Sequence, residues 1–98
     1  MINLRYHPLV QRDVTEILVH YHSISVALEE AFWLEFIQAL ASISENPGRH
    51  HYDQSGYRRC NLKKYPYHIL FRINKDTVVV LVVRHNRRHP KFGVKRID

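Results

Sequence analysis

The chain has 98 residues, 45% of them hydrophobic, with three glycines, four prolines and a formal net charge of +6. That length and composition fit one folded domain with a modest core; they exclude a disordered basic tail and leave no room for two layers around a deep cofactor pocket. The charge is uneven: residues 1–46 carry two Lys/Arg against six Asp/Glu (−4) and residues 47–98 carry thirteen against three (+10), which sum to the +6. Such a split predicts one basic surface suited to a polyanion, nucleic acid first, or to an acidic protein.

The alternation Ile2-Asn3-Leu4-Arg5-Tyr6 predicts a half-buried strand, after which Pro8 stands at a position a first helical turn tolerates. From Pro8 to about Tyr21, Val10, Val14, Ile17, Leu18 and Tyr21 make one apolar stripe, with Arg12, Asp13 and Glu16 pointing elsewhere. Ser23 and Ser25 can cap a second helix. Its stripe is Leu28, Phe32, Phe36, Ala39, Leu40 and Ile43, and Asn46-Pro47-Gly48 stops it. Trp33 and Ile37 widen that stripe, either as more core or as a partner-binding ridge.

Residues 49–56 read as a polar loop with a turn signal at Ser55-Gly56. From Tyr57 to Lys64 a strand turns Cys60 and Leu62 to the core and Arg59, Asn61 and Lys63 to the other face. Pro66 starts the next strand, in which Tyr67, Ile69, Phe71 and Ile73 alternate with His68, Leu70 and Arg72, and Asn74-Lys75-Asp76 makes the turn. Val78 to Val83 is apolar on both faces and predicts a central strand, helices on one side and partial shielding on the other. A short helix or strand is allowed from Phe92 to Ile97. The sum is a single α+β domain over residues 1–98: an N-terminal strand, an antiparallel helix hairpin, then a three-stranded antiparallel meander.

The lone Cys60 permits no internal disulfide and reads as a core residue, which fits a reducing, cytoplasmic setting. The amino terminus lacks a signal-peptide core, the longest apolar run is too short to cross a bilayer, and the basic residues lie on strand-like sequence, so no membrane partner is expected. The eight histidines show no convergent ligand spacing, so neither metal nor cofactor is expected. Alternation instead allows Arg59, Asn61, Lys63, His68 and Arg72 to share a sheet face near Arg84, His85, Arg87, Arg88 and His89, which would put phosphate-binding charge beside proton carriers. The alternative is a solvated basic face. Tyr57, Tyr65 and Phe92 can serve as packing or as platforms for exposed bases.

Gly56-Tyr57-Arg58-Arg59, Leu62, the run from Pro66 to Ile73, Val80-Leu81-Val82-Val83, and His85 with Arg87-Arg88 and Pro90 together resemble the RelE/ParE toxin superfamily, which includes plasmid stabilisation proteins. The resemblance spans nearly the whole chain. It implies the toxin of a bacterial type II toxin–antitoxin pair, neutralised by a small, often acidic antitoxin. It also implies one of two activities: metal-independent cleavage of ribosome-bound mRNA, as in RelE-like members, or poisoning of DNA gyrase, as in ParE-like ones. Arg59 and Arg88 match basic active-site positions of the nucleases. His68 stands where they usually have arginine and Asn61 where lysine is common, while the C-terminal tyrosine of some members is replaced near Val94. On this resemblance Arg59, His68, His85 and Arg88 are the expected catalytic residues. Lys63, Arg72, Arg87, His89 and Phe92 are the expected substrate contacts. That constellation favours the endoribonuclease over the gyrase poison; a basic nucleic-acid-binding module without toxicity is the remaining reading.

Overall fold

The computed structural model describes residues 2–96. Strand β1 (Asn3–Tyr6) leads into helices α1 (Val10–His22) and α2 (Val26–Glu45), a single 3-10 turn at Pro47–Arg49, and strands β2 (Arg58–Asn61), β3 (Tyr67–Asn74) and β4 (Thr77–His85). The sheet order is β1-β4-β3-β2, with β2, β3 and β4 antiparallel and β1 parallel to β4. This is the expected α+β architecture, with the valine-rich strand in the interior of the sheet. No helix among the described residues is long and apolar enough to cross a membrane.

The helix ends follow local chemistry. Pro8 does not begin α1, because the His7 ring Nδ1 accepts the Leu9 amide at 3.1 Å and the His7 carbonyl accepts the Val10 amide, holding Pro8-Leu9 in a turn. Ser23 closes α1 by donating its hydroxyl to the His20 carbonyl at 2.6 Å, while Ser25 caps α2 by accepting the amides of Ala27 and Leu28. Asn46 and Pro47 then end α2 where expected.

Both helices pack on one sheet face. Val14, Ile17, Phe32, Phe36, Leu40 and Ile43 bury against Cys60, Leu62, Ile69, Phe71, Val78 and Val80, and each large apolar side chain removed from water contributes about 1.5–3 kcal/mol. The rings of Tyr21, Phe32, Tyr65 and Tyr67 close one end, with centroids 5.0 to 6.2 Å apart. Tyr65 donates its hydroxyl to the Leu28 carbonyl and Tyr57 donates its hydroxyl to the Val94 carbonyl, so both rings serve packing.

The other sheet face is covered by the C-terminal segment. Residues 91–95 form turns and not the helix or strand allowed for Phe92 to Ile97, Ile97 itself lying outside the described residues. Gly93, at φ +77, lies so close to Val82 that a Cβ would come within 2.7 Å of it, so a side chain there meets both backbone strain and a fully buried neighbour.

Asp13 departs from its expected place on the polar side of α1: it is buried. Strand β1 stops opposite Val80, which would leave the rest of that edge of β4 unpaired. Asp13 Oδ2 accepts the Val83 amide at 3.1 Å, and Arg96 donates to the Leu81 carbonyl at 3.0 Å and to both Asp13 oxygens at 2.6 and 3.0 Å. A side-chain ion pair thus continues the ladder where the strand has run out.

Candidate functional site

Alternation along β2, β3 and β4 brings Arg59, Asn61, His68, Arg72 and Arg84 to the outer face, and the register sets Asn61 opposite His68 and His68 opposite Arg84. The loop before β2 folds Asp53 over this row. Its amide donates to the Tyr57 carbonyl, and its carboxylate lies 3.1 Å from Arg59 and 3.8 Å from Arg84. Burial pushes the Asp53 carboxyl upward, but hydrogen bonds from Ser55 and the Arg59 charge outweigh it and hold the group below its ordinary value. Arg59 has its donors committed: Nε to Asn61, one terminal nitrogen to Asp53, the other to Asn86.

His68 is 1% exposed. Arg84 Nε donates to its Nε2 at 2.9 Å, so the ring proton sits on Nδ1 and donates to Asn86 Oδ1 at 2.8 Å. Burial depresses its pKa, helped by the Arg59 and Arg84 charges, and the ring is neutral near pH 7. Both ring nitrogens are thus engaged beneath the surface. Arg84 also donates to the carbonyls of Pro90 and Phe92, each at 2.8 Å, fastening the segment after β4 to the sheet.

His85, one residue further along β4, faces the helices. Its ring meets Tyr67 edge-on at 5.1 Å, and its Nδ1 accepts the Arg87 amide. With His20, Glu16, Arg88 and Phe92 it lines a cleft of about 160 Å³ beside α1. The Arg88 guanidinium lies 3.9 Å over the Phe92 ring. The four expected catalytic residues therefore divide into two groups: Arg59 and His68 in the outer network, His85 and Arg88 on the α1 side. Among the expected substrate contacts, Lys63 is exposed beside Arg49 and Arg59 in a separate cleft of about 490 Å³, Arg72 is half-buried on β3, Arg87 and His89 are exposed after β4, and Phe92 is half-buried beneath Arg88.

With the geometry in place, comparison with known proteins decides the family. The family described as "ParE toxin of type II toxin-antitoxin system, parDE" matches residues 4–90. The chain belongs to the ParE toxin family. A solved chain from the "Chromosomal ParDE TA system from P. aeruginosa" is similar at a TM-score of 0.70 and 19% identity, over 87% of this chain and 96% of that one, a likeness of fold. No curated protein matches the sequence. As a ParE-family member the chain is the toxin of a type II toxin–antitoxin system, and an antitoxin is its partner.

An apolar cleft also stays open on this chain. Between α1, α2 and the end of β1 lies a space of about 640 Å³ lined by Tyr6, Val14, Leu18, Trp33, Phe36 and Ile37. Trp33 and Ile37, which could have been core, are 47% and 41% exposed. Sequence reasoning missed Asp53 and Asn86 in the outer network. Asp53 lies in a stretch that reads only as a polar loop, and nothing local says that this carboxylate folds back over two arginines. Its one signal was arithmetic: it is one of just three acids among thirteen cations after residue 46.

Proposed function

We propose that this ParE-family toxin arrests cells by poisoning DNA gyrase and not by cutting messenger RNA. Attack by a ribose 2′-oxygen needs a proton acceptor, a cation for the charge building on phosphorus and a proton donor for the leaving oxygen, all within reach of one phosphate. The observation that carries the reading is that Arg59 and His68 have their polar atoms committed within the outer network while His85 faces the helices. Arg59 is held by Asp53, Asn61 and Asn86, His68 is buried with both nitrogens bonded, His85 packs on Tyr67 on the helix side of β4, and Arg88 lies over Phe92 in the turn that follows. A gyrase poison needs a shaped binding surface and no acid–base pair. On this reading gyrase takes precedence over the mRNA cleavage that the residue types alone favour.

The same reading gives the apolar cleft at Trp33 and Ile37 to the antitoxin, as the seat for the apolar face of an amphipathic segment whose acidic residues meet the basic half of the toxin. Induction in growing bacteria with parallel readouts tests the choice: DNA breaks with intact message are expected. Cut message with intact DNA would return the nuclease, and unaffected growth would leave a basic binding module.

A further inference from the structure

From Thr77 to Arg96 the chain holds no Asp or Glu and six Lys/Arg: Arg84, Arg87, Arg88, Lys91, Lys95 and Arg96. Two are spent inside, Arg84 on Asp53 and the carbonyls of Pro90 and Phe92, and Arg96 on Asp13. The other four are exposed, and none forms an ion pair among the described residues.

The turn that carries them is built. His85 and His89, four residues apart, repeat one motif: each carbonyl accepts the amide three residues on (Arg88 and Phe92, both at 2.9 Å), and each ring Nδ1 accepts the amide two residues on (Arg87 at 3.0 Å and Lys91 at 3.1 Å). The two Arg84 bonds pin the same segment from below. Cations carried on a hydrogen-bonded turn lose less backbone entropy on binding than those of a loose basic tail would.

The aromatic rings decide which polyanion fits. Single strands are held by stacking bases on free rings. At this turn the Phe92 ring lies under Arg88 at 3.9 Å with Arg96 at 5.3 Å, and the nearby Tyr57 turns its hydroxyl inward to the Val94 carbonyl; the exposed Tyr52 lies beside Arg58 at β2, outside the turn. What the turn itself offers is charge without a free ring, which suits the phosphates of an intact double helix.

We propose that the turn after β4 is a duplex-DNA contact in which Arg87, Arg88, Lys91 and Lys95 grip the phosphate backbone. This rests on the gyrase reading in one respect: the DNA gripped is the segment on which the poisoned enzyme is working.

The test is fluorescence anisotropy of the full chain, freed of antitoxin, with a short mixed-sequence DNA duplex, a single-stranded RNA of the same sequence and polyglutamate, across a salt series. Four phosphates neutralised give a slope of log affinity on log salt of about −3.6, and the R87E/K91E variant lowers its size by about 2 and weakens binding by roughly tenfold or more. K64E/K75E, with the same change of net charge elsewhere, keeps the wild-type slope. Absence of duplex binding, equal loss in both double variants, or RNA or polyglutamate bound as tightly as the duplex would overturn the proposal. The two readings fail separately: DNA binding without trapped gyrase defeats the gyrase reading alone, and trapped gyrase undiminished in R87E/K91E defeats the DNA contact alone.

Discussion

Asp53 Oδ1 lies 3.1 Å from Arg59, and the second oxygen of the same carboxylate lies 3.8 Å from Arg84, so one loop residue neutralises two neighbouring guanidiniums on the outer sheet face. Removing it leaves two like charges beside a buried histidine. Breaking a fully buried pair costs about 3–5 kcal/mol, and the cost here falls near the lower end because the Arg59 side chain is 30% exposed. D53A is expected to lose about 3 kcal/mol in urea unfolding, with R59A costing less. An unchanged midpoint in D53A would show that the carboxylate does not hold the face together.

His68 gives the fold a pH dependence of definite sign. Its folded pKa lies below the ordinary 6.5 because it is buried and sits near the Arg59 and Arg84 charges. The unfolded chain therefore binds the proton more readily, so stability is fully present above pH 6.5 and declines as pH falls from there toward the folded pKa. His50, depressed by burial against Phe71, acts in the same window. Urea midpoints between pH 7.5 and 5 should fall for the wild type and fall less steeply for H68N. Parallel curves for the two proteins would remove His68 from the account.

The Asp13–Arg96 pair makes a different prediction, because it carries backbone bonds as well as charge. D13A leaves the buried Arg96 charge with only the Leu81 carbonyl and orphans the Val83 amide, and about 3–5 kcal/mol of destabilisation is expected. R96A should cost less, since Asp13 keeps the Val83 amide, and D13A in the R96A background should cost less than in the wild type. Strict additivity in that double-mutant cycle would mean the two residues do not act as a unit.

These two ion pairs mark what the sequence could and could not disclose. Periodicity is local, so the stripe of α1, the Ser25 cap, the alternation of β3 and the doubly buried β4 were legible from residue order. Face assignments on the sheet were legible for the same reason, and Arg59, Asn61, His68 and Arg72 do share one. His85 had been grouped with them, yet it follows Arg84 on the strand and must point the opposite way. Asp13 and Asp53 escaped because their partners lie 83 and 6 residues away, across a sheet edge and over a loop, where no periodic pattern reaches.

Trp33 separates antitoxin binding from stability. It is 47% exposed beside the apolar cleft, so W33A should leave the urea midpoint within about 1 kcal/mol while weakening antitoxin binding by about 2 kcal/mol or more in calorimetry. Loss of stability without loss of affinity would make Trp33 a core residue and place the antitoxin elsewhere.

Gyrase and the ribosome can be set side by side as targets of the toxin. Purified toxin is incubated with DNA gyrase, ATP and supercoiled plasmid, and in parallel with ribosomes programmed with a defined message. Linear plasmid released from trapped gyrase after detergent and protease treatment is expected, with the message intact. Message cut on the ribosome, with no linear plasmid, would contradict the gyrase reading.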